Sequence, residues 1–127
     1  MVGGESAVGK QIEKQLEGYG EVERIGGTNR YETSVMLAQK FFDKPAAMVL
    51  TYGKNFPDGL CGGLLAISKD APLVLTLSNK YSVWAEDYAE RYDVQSGAVL
   101  GGSGLIEDET VRNIFNMEDG ENIVVKK

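Results

Sequence analysis

The sequence predicts a parallel, three-layer α/β sandwich, and three observations carry that expectation. Met48-Val49-Leu50-Thr51 and Leu73-Val74-Leu75 are short apolar runs without polar alternation, the pattern of strands covered on both faces. Segments with helical apolar spacing alternate with such runs along the chain. Between the two runs, Gly53-Lys54-Asn55-Phe56-Pro57-Asp58-Gly59 leads into an apolar segment that reaches Ile67. Strand, loop, helix and strand then form one right-handed crossover unit.

The remaining elements follow in order. Val2-Gly3-Gly4 reads as the end of a strand, and Ala7, Val8, Ile12 and Leu16 lay one apolar stripe along a helix that stops near Gly18-Tyr19-Gly20. Glu21 to Ile25 is expected as a strand closed by Gly26-Gly27. Asn29 then caps a helix, with Glu32 at capping-box distance and Tyr31, Val35, Ala38, Phe41 and Phe42 on the buried face. Pro57 has the fixed backbone angle that opens a helix, which should end near Lys69-Asp70, before Pro72. Ser78-Asn79-Lys80 is expected as a loop. Trp84 and Tyr88 stand one turn apart on the buried face of the next helix. Ser96 to Leu100 is a further strand, a helix after Gly104 runs to about Asn116, and Asn122 to Lys126 is a last strand.

The two ends of the chain repeat a pattern. Leu100-Gly101-Gly102 followed by Leu105, Ile106, Val111 and Phe115 copies Val2-Gly3-Gly4 and its helix, with one extra residue before Val111. Leu100 lies 98 positions after Val2, a domain-sized period rather than a solenoid one. The chain therefore reads as a piece of a longer protein, one whole module plus the tail of its predecessor.

Composition narrows the function. With 127 residues, 43% hydrophobic and 25% charged, the chain has the makings of one domain with a true core. A net charge of −6 opposes broad attraction to nucleic acid or to an anionic membrane. The absence of histidine removes the commonest metal ligand and general base, so neither a metal site nor a cofactor is expected. Cys61, the single cysteine, excludes an intrachain disulfide and is expected as a buried thiol on the apolar helix. No apolar stretch approaches the ~18 residues of a membrane span.

Two loops could carry chemistry. Gly101-Gly102-Ser103-Gly104 sits between strand and helix, where backbone amides can cradle a phosphate, yet it lacks a dinucleotide fingerprint and is followed by Glu107, Asp108 and Glu109. Gly53 to Asp58 follows a strand, at the carboxyl edge where α/β proteins commonly bind ligands. There Asp58 can act as acid, base or hydroxyl acceptor, or simply complement the helix dipole. Arg30 and Lys54 are the basic candidates near these edges, although Arg30 could be a structural ion pair with Glu32. Gly59, Gly62 and Gly63 weaken their helix by up to ~1 kcal/mol each, and close approach to the sheet is the expected compensation.

Four stretches in order, Arg24-Ile25-Gly26-Gly27-Thr28-Asn29-Arg30-Tyr31-Glu32-Thr33-Ser34, Gly53-Lys54-Asn55-Phe56-Pro57-Asp58-Gly59-Leu60, Ala71-Pro72-Leu73-Val74-Leu75-Thr76 and Val99-Leu100-Gly101-Gly102, resemble the cell wall binding repeat 2 family. The resemblance covers about Val22 to Phe115, and Val2-Gly3-Gly4 is similar to the closing motif of a preceding repeat. It implies a Rossmann-like or flavodoxin-like module without catalysis of its own. Such repeats hold secreted surface proteins of Gram-positive bacteria, autolysins and S-layer-associated proteins among them, on anionic wall polymer. Three commonly act together. Glycines at 59, 62 and 63 replace the usual alanines, and the module is acidic although the implied ligand is an anion.

The expected organisation is one α/β domain over residues 1–127: a tail of a preceding repeat (1–20) packed on the fold, the repeat itself (21–116) and a terminal strand leading to the next module (117–127). Its expected role is extracellular, non-catalytic anchoring together with neighbouring repeats, without nucleic acid or a membrane span. The expected polymer contacts are Arg30 and Lys54 for charge pairing, Asn55 for sugar hydroxyls, and Asp58 for loop ordering or hydroxyl acceptance. Two alternatives stand beside it: a small-ligand or nucleotide-binding domain using Gly101 to Gly104, and an assembly module whose apolar faces pack on neighbouring repeats.

Overall fold

The computed structural model describes residues 1–55, 57–118, 120, 121, 123 and 124, and of Asn79 the backbone. The elements are α1 (Lys10–Glu17), α2 (Arg30–Phe41), β1 (Met48–Tyr52), α3 (Pro57–Ser68), β2 (Leu73–Thr76), a 3₁₀ turn (Asn79–Tyr81), α4 (Val83–Tyr92), β3 (Gly97–Leu100) and α5 (Asp108–Ile114). The three strands pair in parallel in the order β2-β1-β3, with Tyr52 opposite Thr76 and Thr51 opposite Leu100. The chain is an α/β sandwich of the expected class.

Strand alternation divides the core in two. Met48, Leu50 and Val74 join Val35, Ala38, Ala85, Tyr88, Ile106, Val111 and Ile114 on the face covered by α2, α4 and α5. Val49 meets Ala66 and Ala71 on the other face, under α3 alone. Gly62 makes that contact close: a Cβ there would stand 2.8 Å from Leu73 Cδ1 and 2.9 Å from Leu100 Cδ1. Gly63 has open space at the same position, so the close-approach argument holds for Gly62 and not for all three glycines. At the open edge of β2, the Leu75 amide donates to Ser34 Oγ on α2 at 3.0 Å, which protects that edge from further strand pairing.

Several expectations are corrected. Glu21 to Ile25 is not a strand but one parallel bridge between Val2 and Ile25, because Gly3 turns the partner segment away at φ 124°. Phe41 is 67% exposed: at 100° per residue it falls to the side of the Tyr31, Val35 and Ala38 stripe. Cys61 is exposed, since Gly62 and Ala66 take the sheet-facing positions of α3. Helix α5 ends at Ile114, and Asn116 closes it at φ 47°. The strand expected over Asn122 to Lys126 falls largely outside the described residues; Ile123 packs, half-buried, against the larger core.

The repeated pattern at the two ends has a structural counterpart. Gly3 and Gly101 share a left-handed backbone, at φ 124° and 129°. The amides of Ala7 and Val8 donate to the Gly4 carbonyl, as those of Leu105 and Ile106 do to the Gly102 carbonyl. A helix follows each. Their surroundings differ, for Val111 and Ile114 of α5 are buried whereas α1 has no buried residue and leaves Ile12 and Leu16 45% and 40% exposed. Arg24 fastens α1 to the module by donating to the carbonyls of Gly3 and Val8, each at 2.7 Å, and pairing with Glu13 at 3.0 Å.

Candidate functional site at the carboxyl edge of the sheet

Parallel strands in register end together, so the loops after β1 and β2 leave the sheet side by side. The Gly53 amide extends the ladder by donating to the Thr76 carbonyl at 2.9 Å. Helix α2 begins at this edge. Asn29 Oδ1 accepts from the amides of Tyr31 and Glu32, while Glu32 reaches back to accept from the amide and hydroxyl of Thr28. Those bonds hold the Glu32 carboxyl below its usual range and leave it unavailable to Arg30.

Arg30 instead donates to the Gly53 carbonyl at 2.9 Å, which ties the start of α2 to the loop after β1. Tyr31 packs against Gly53, where any Cβ would collide with its ring. That ring stacks on Tyr81 at 4.9 Å between centroids and on Trp84 at 6.4 Å, with Tyr81 and Trp84 6.2 Å apart. Lys80 Nζ stands 4.8 Å from the centre of the Tyr81 ring. Burial pushes the Tyr31 phenol up, and the neighbouring Arg30 guanidinium partly offsets that.

Of the four residues expected at the site, Arg30, Lys54 and Asn55 lie at the β1 and β2 loops, with Lys54 and Asn55 exposed. Asp58, half-buried in the first turn of α3, lies instead beside the end of β3, its Oδ2 3.8 Å from where a Cβ of Gly101 would be. Sequence reasoning missed Lys80, Tyr81 and Trp84 as members of this edge. The available signal was an aromatic pair three residues apart around a helix start, preceded by a lysine; Trp84 turns toward Tyr81 and Tyr31 as well as toward the core.

The other candidate surfaces suit an anion poorly. After Gly101, the amides of Leu105 and Ile106 are used within the turn and that of Glu107 donates to Ser78 Oγ at 3.2 Å. The adjoining groove of about 290 Å³ is lined by Glu86, Glu107 and Glu109. No group of three histidine, cysteine or acidic side chains among the described residues could hold a metal ion, and none of the described helices is long and apolar enough to cross a membrane.

Comparison with known proteins identifies the module. The family model described as cell wall binding domain 2 matches residues 24–111. The chain belongs to this family. The N-acetylmuramoyl-L-alanine amidase LytC of Bacillus subtilis (strain 168) is 28% identical over 96 residues, 76% of this chain and 19% of LytC. The Amidase enhancer of the same strain is 30% identical over 113 residues, 89% of this chain and 15% of that protein. Among solved structures, Cwp8 from Clostridium difficile superposes with a TM-score of 0.69 at 24% identity, over 91% of this chain and 20% of Cwp8, a likeness of fold. The cell wall binding domain 2 module thus spans about a fifth or less of these relatives. It is a cell wall binding module, and the two Bacillus proteins extend far beyond the part that matches it.

Proposed function

We propose that this chain anchors a secreted Gram-positive surface protein, without catalysis of its own, by binding anionic secondary wall polymer in concert with neighbouring repeats. Membership of the cell wall binding domain 2 family carries the reading. The edge around Arg30, Lys54 and Asn55 supports the choice of face, because cationic and amide groups collect there while carboxylates line the groove between α4 and α5. Asp58 would order the neighbouring loop or accept a sugar hydroxyl. Sedimentation with purified Gram-positive walls, before and after acid removal of the anionic polymer, tests this. A protein carrying this module with its flanking repeats should sediment with intact walls and stay in solution with stripped ones. Equal retention by stripped walls would move the ligand to peptidoglycan.

Two observations support neighbouring repeats as partners. The turn at Gly3 and helix α1 repeat the turn at Gly101 and helix α5, and α1 lacks the packing that buries its counterpart α5. Leu60, Leu64 and Ile67 form a seam along α3 that is 74%, 77% and 79% exposed, and Asp58 is the one charged residue in that helix. A seam of this kind is rarely left to water. A second module packed on it would bury the apolar residues without desolvating a charge.

A further inference from the structure

The aromatic stack at the carboxyl edge is larger than the packing of α2 on α4 requires. Val35 and Ala38 already meet Ala85, Tyr88 and Ala89 in the core below it. Above them, Tyr81 and Trp84 remain half-buried, the rings run nearly parallel, with interplanar angles of 12° to 29°, and an exposed lysine stands over one of them. We infer that Tyr81 and Trp84, backed by Tyr31 and flanked by Lys80, form a subsite that stacks a pyranose ring and pairs with an anionic substituent on it.

The electron-rich ring faces attract the weakly positive C–H groups of a sugar, which gives contact area at little entropic cost because aromatic side chains are already fixed. Lys80 lies over Tyr81 through a cation–π contact that is weak when exposed to water. A phosphate or carboxylate on the sugar offers its ammonium a stronger, charge-assisted partner. Two acidic side chains on the flanking helices are engaged in hydrogen bonds of their own: Glu32 with Thr28, and Glu86 with Ser82 Oγ at 2.6 Å. An acidic module can thus meet an anionic glycan through one local cation, Lys80, set on an aromatic surface.

This inference rests on the anchoring reading, and the single tryptophan provides a probe that separates the two. The 127-residue chain is titrated with acid-released wall polymer fragments, with a neutral oligosaccharide and with inorganic phosphate, while Trp84 fluorescence is recorded. The fragments should produce a saturable change and the neutral sugar a weaker one, whereas phosphate alone should produce none. Tyr81→Leu should weaken binding roughly tenfold and Tyr81→Phe should restore it. Lys80→Ala, at an exposed position outside the core, should bring the fragments down to the level of the neutral sugar. Wall retention of the multi-repeat protein with unchanged Trp84 emission, or full binding by Lys80→Ala and Tyr81→Leu, would overturn the subsite and leave anchoring intact. No retention of the parent protein on walls would overturn both.

Discussion

Tyr88 shows what burial costs a single polar atom. The side chain is fully buried in the larger core, and its hydroxyl has no hydrogen-bond partner among the described residues. Burial, with a smaller contribution from Tyr92, pushes its pKa up to about 12. The unfolded chain ionises this phenol near ~10, whereas the folded chain keeps it neutral. Its contribution to stability is therefore complete below pH 10 and is lost as pH rises from there toward about 12. Tyr88→Phe deletes the orphaned hydroxyl while keeping the ring. Thermal unfolding followed at pH 8 and pH 11 should show a midpoint at least equal to that of the parent at pH 8 and a smaller fall between the two. A variant that loses more than ~1 kcal/mol at pH 8 would mean that the hydroxyl is satisfied in solution.

At the scale of elements, legibility in the sequence followed local patterning. β1, β2 and α3 were readable because unbroken apolar runs, Pro57 and Pro72 marked them, and α2 because Asn29 and Glu32 marked its start. Features that depend on distant partners were not. The bridge at Ile25 needs the Val2 segment, the exposure of Cys61 depends on which side of α3 meets the sheet, and the Tyr31, Tyr81 and Trp84 stack joins residues some fifty positions apart. In the candidate site, the β1 loop could be read from its place after a strand, whereas Lys80 could not, since it joins this edge only through Tyr81, which stacks on Tyr31 fifty positions earlier. Helix α3 carries the sharpest test of module packing. Leu64 is 77% exposed, so Leu64→Lys should change the stability of the single module by less than about 1 kcal/mol. In a protein that contains the flanking repeats, the same change places a charge inside an interface and should lower the unfolding midpoint and admit protease between modules. An unchanged midpoint in the multi-repeat protein would remove α3 from the interface.

For the whole molecule, the proposed anchoring sets a net charge of −6 against a ligand of the same sign. Beyond a Debye length of about 8 Å at physiological salt the repulsion is screened, so contact with such a ligand would be decided locally by a few cations and by hydrogen bonds to sugar hydroxyls. Such a site is weak alone. Repeats joined in one chain convert later contacts into intramolecular ones, and avidity can then exceed single-site affinity by ~10² or more. The isolated module should accordingly sediment poorly with purified walls, and the protein with its flanking repeats should sediment well. Because few ion pairs contribute, added salt should weaken the multi-repeat binding only moderately. Lys54→Ala in this module is the cleaner probe of charge, since Lys54 is exposed whereas Arg30 also holds Gly53. It should reduce retention and leave the unfolding midpoint in place. Tight binding by the isolated module, equal to that of the multi-repeat protein, would contradict the avidity argument and shift the affinity to one complete site within these 127 residues.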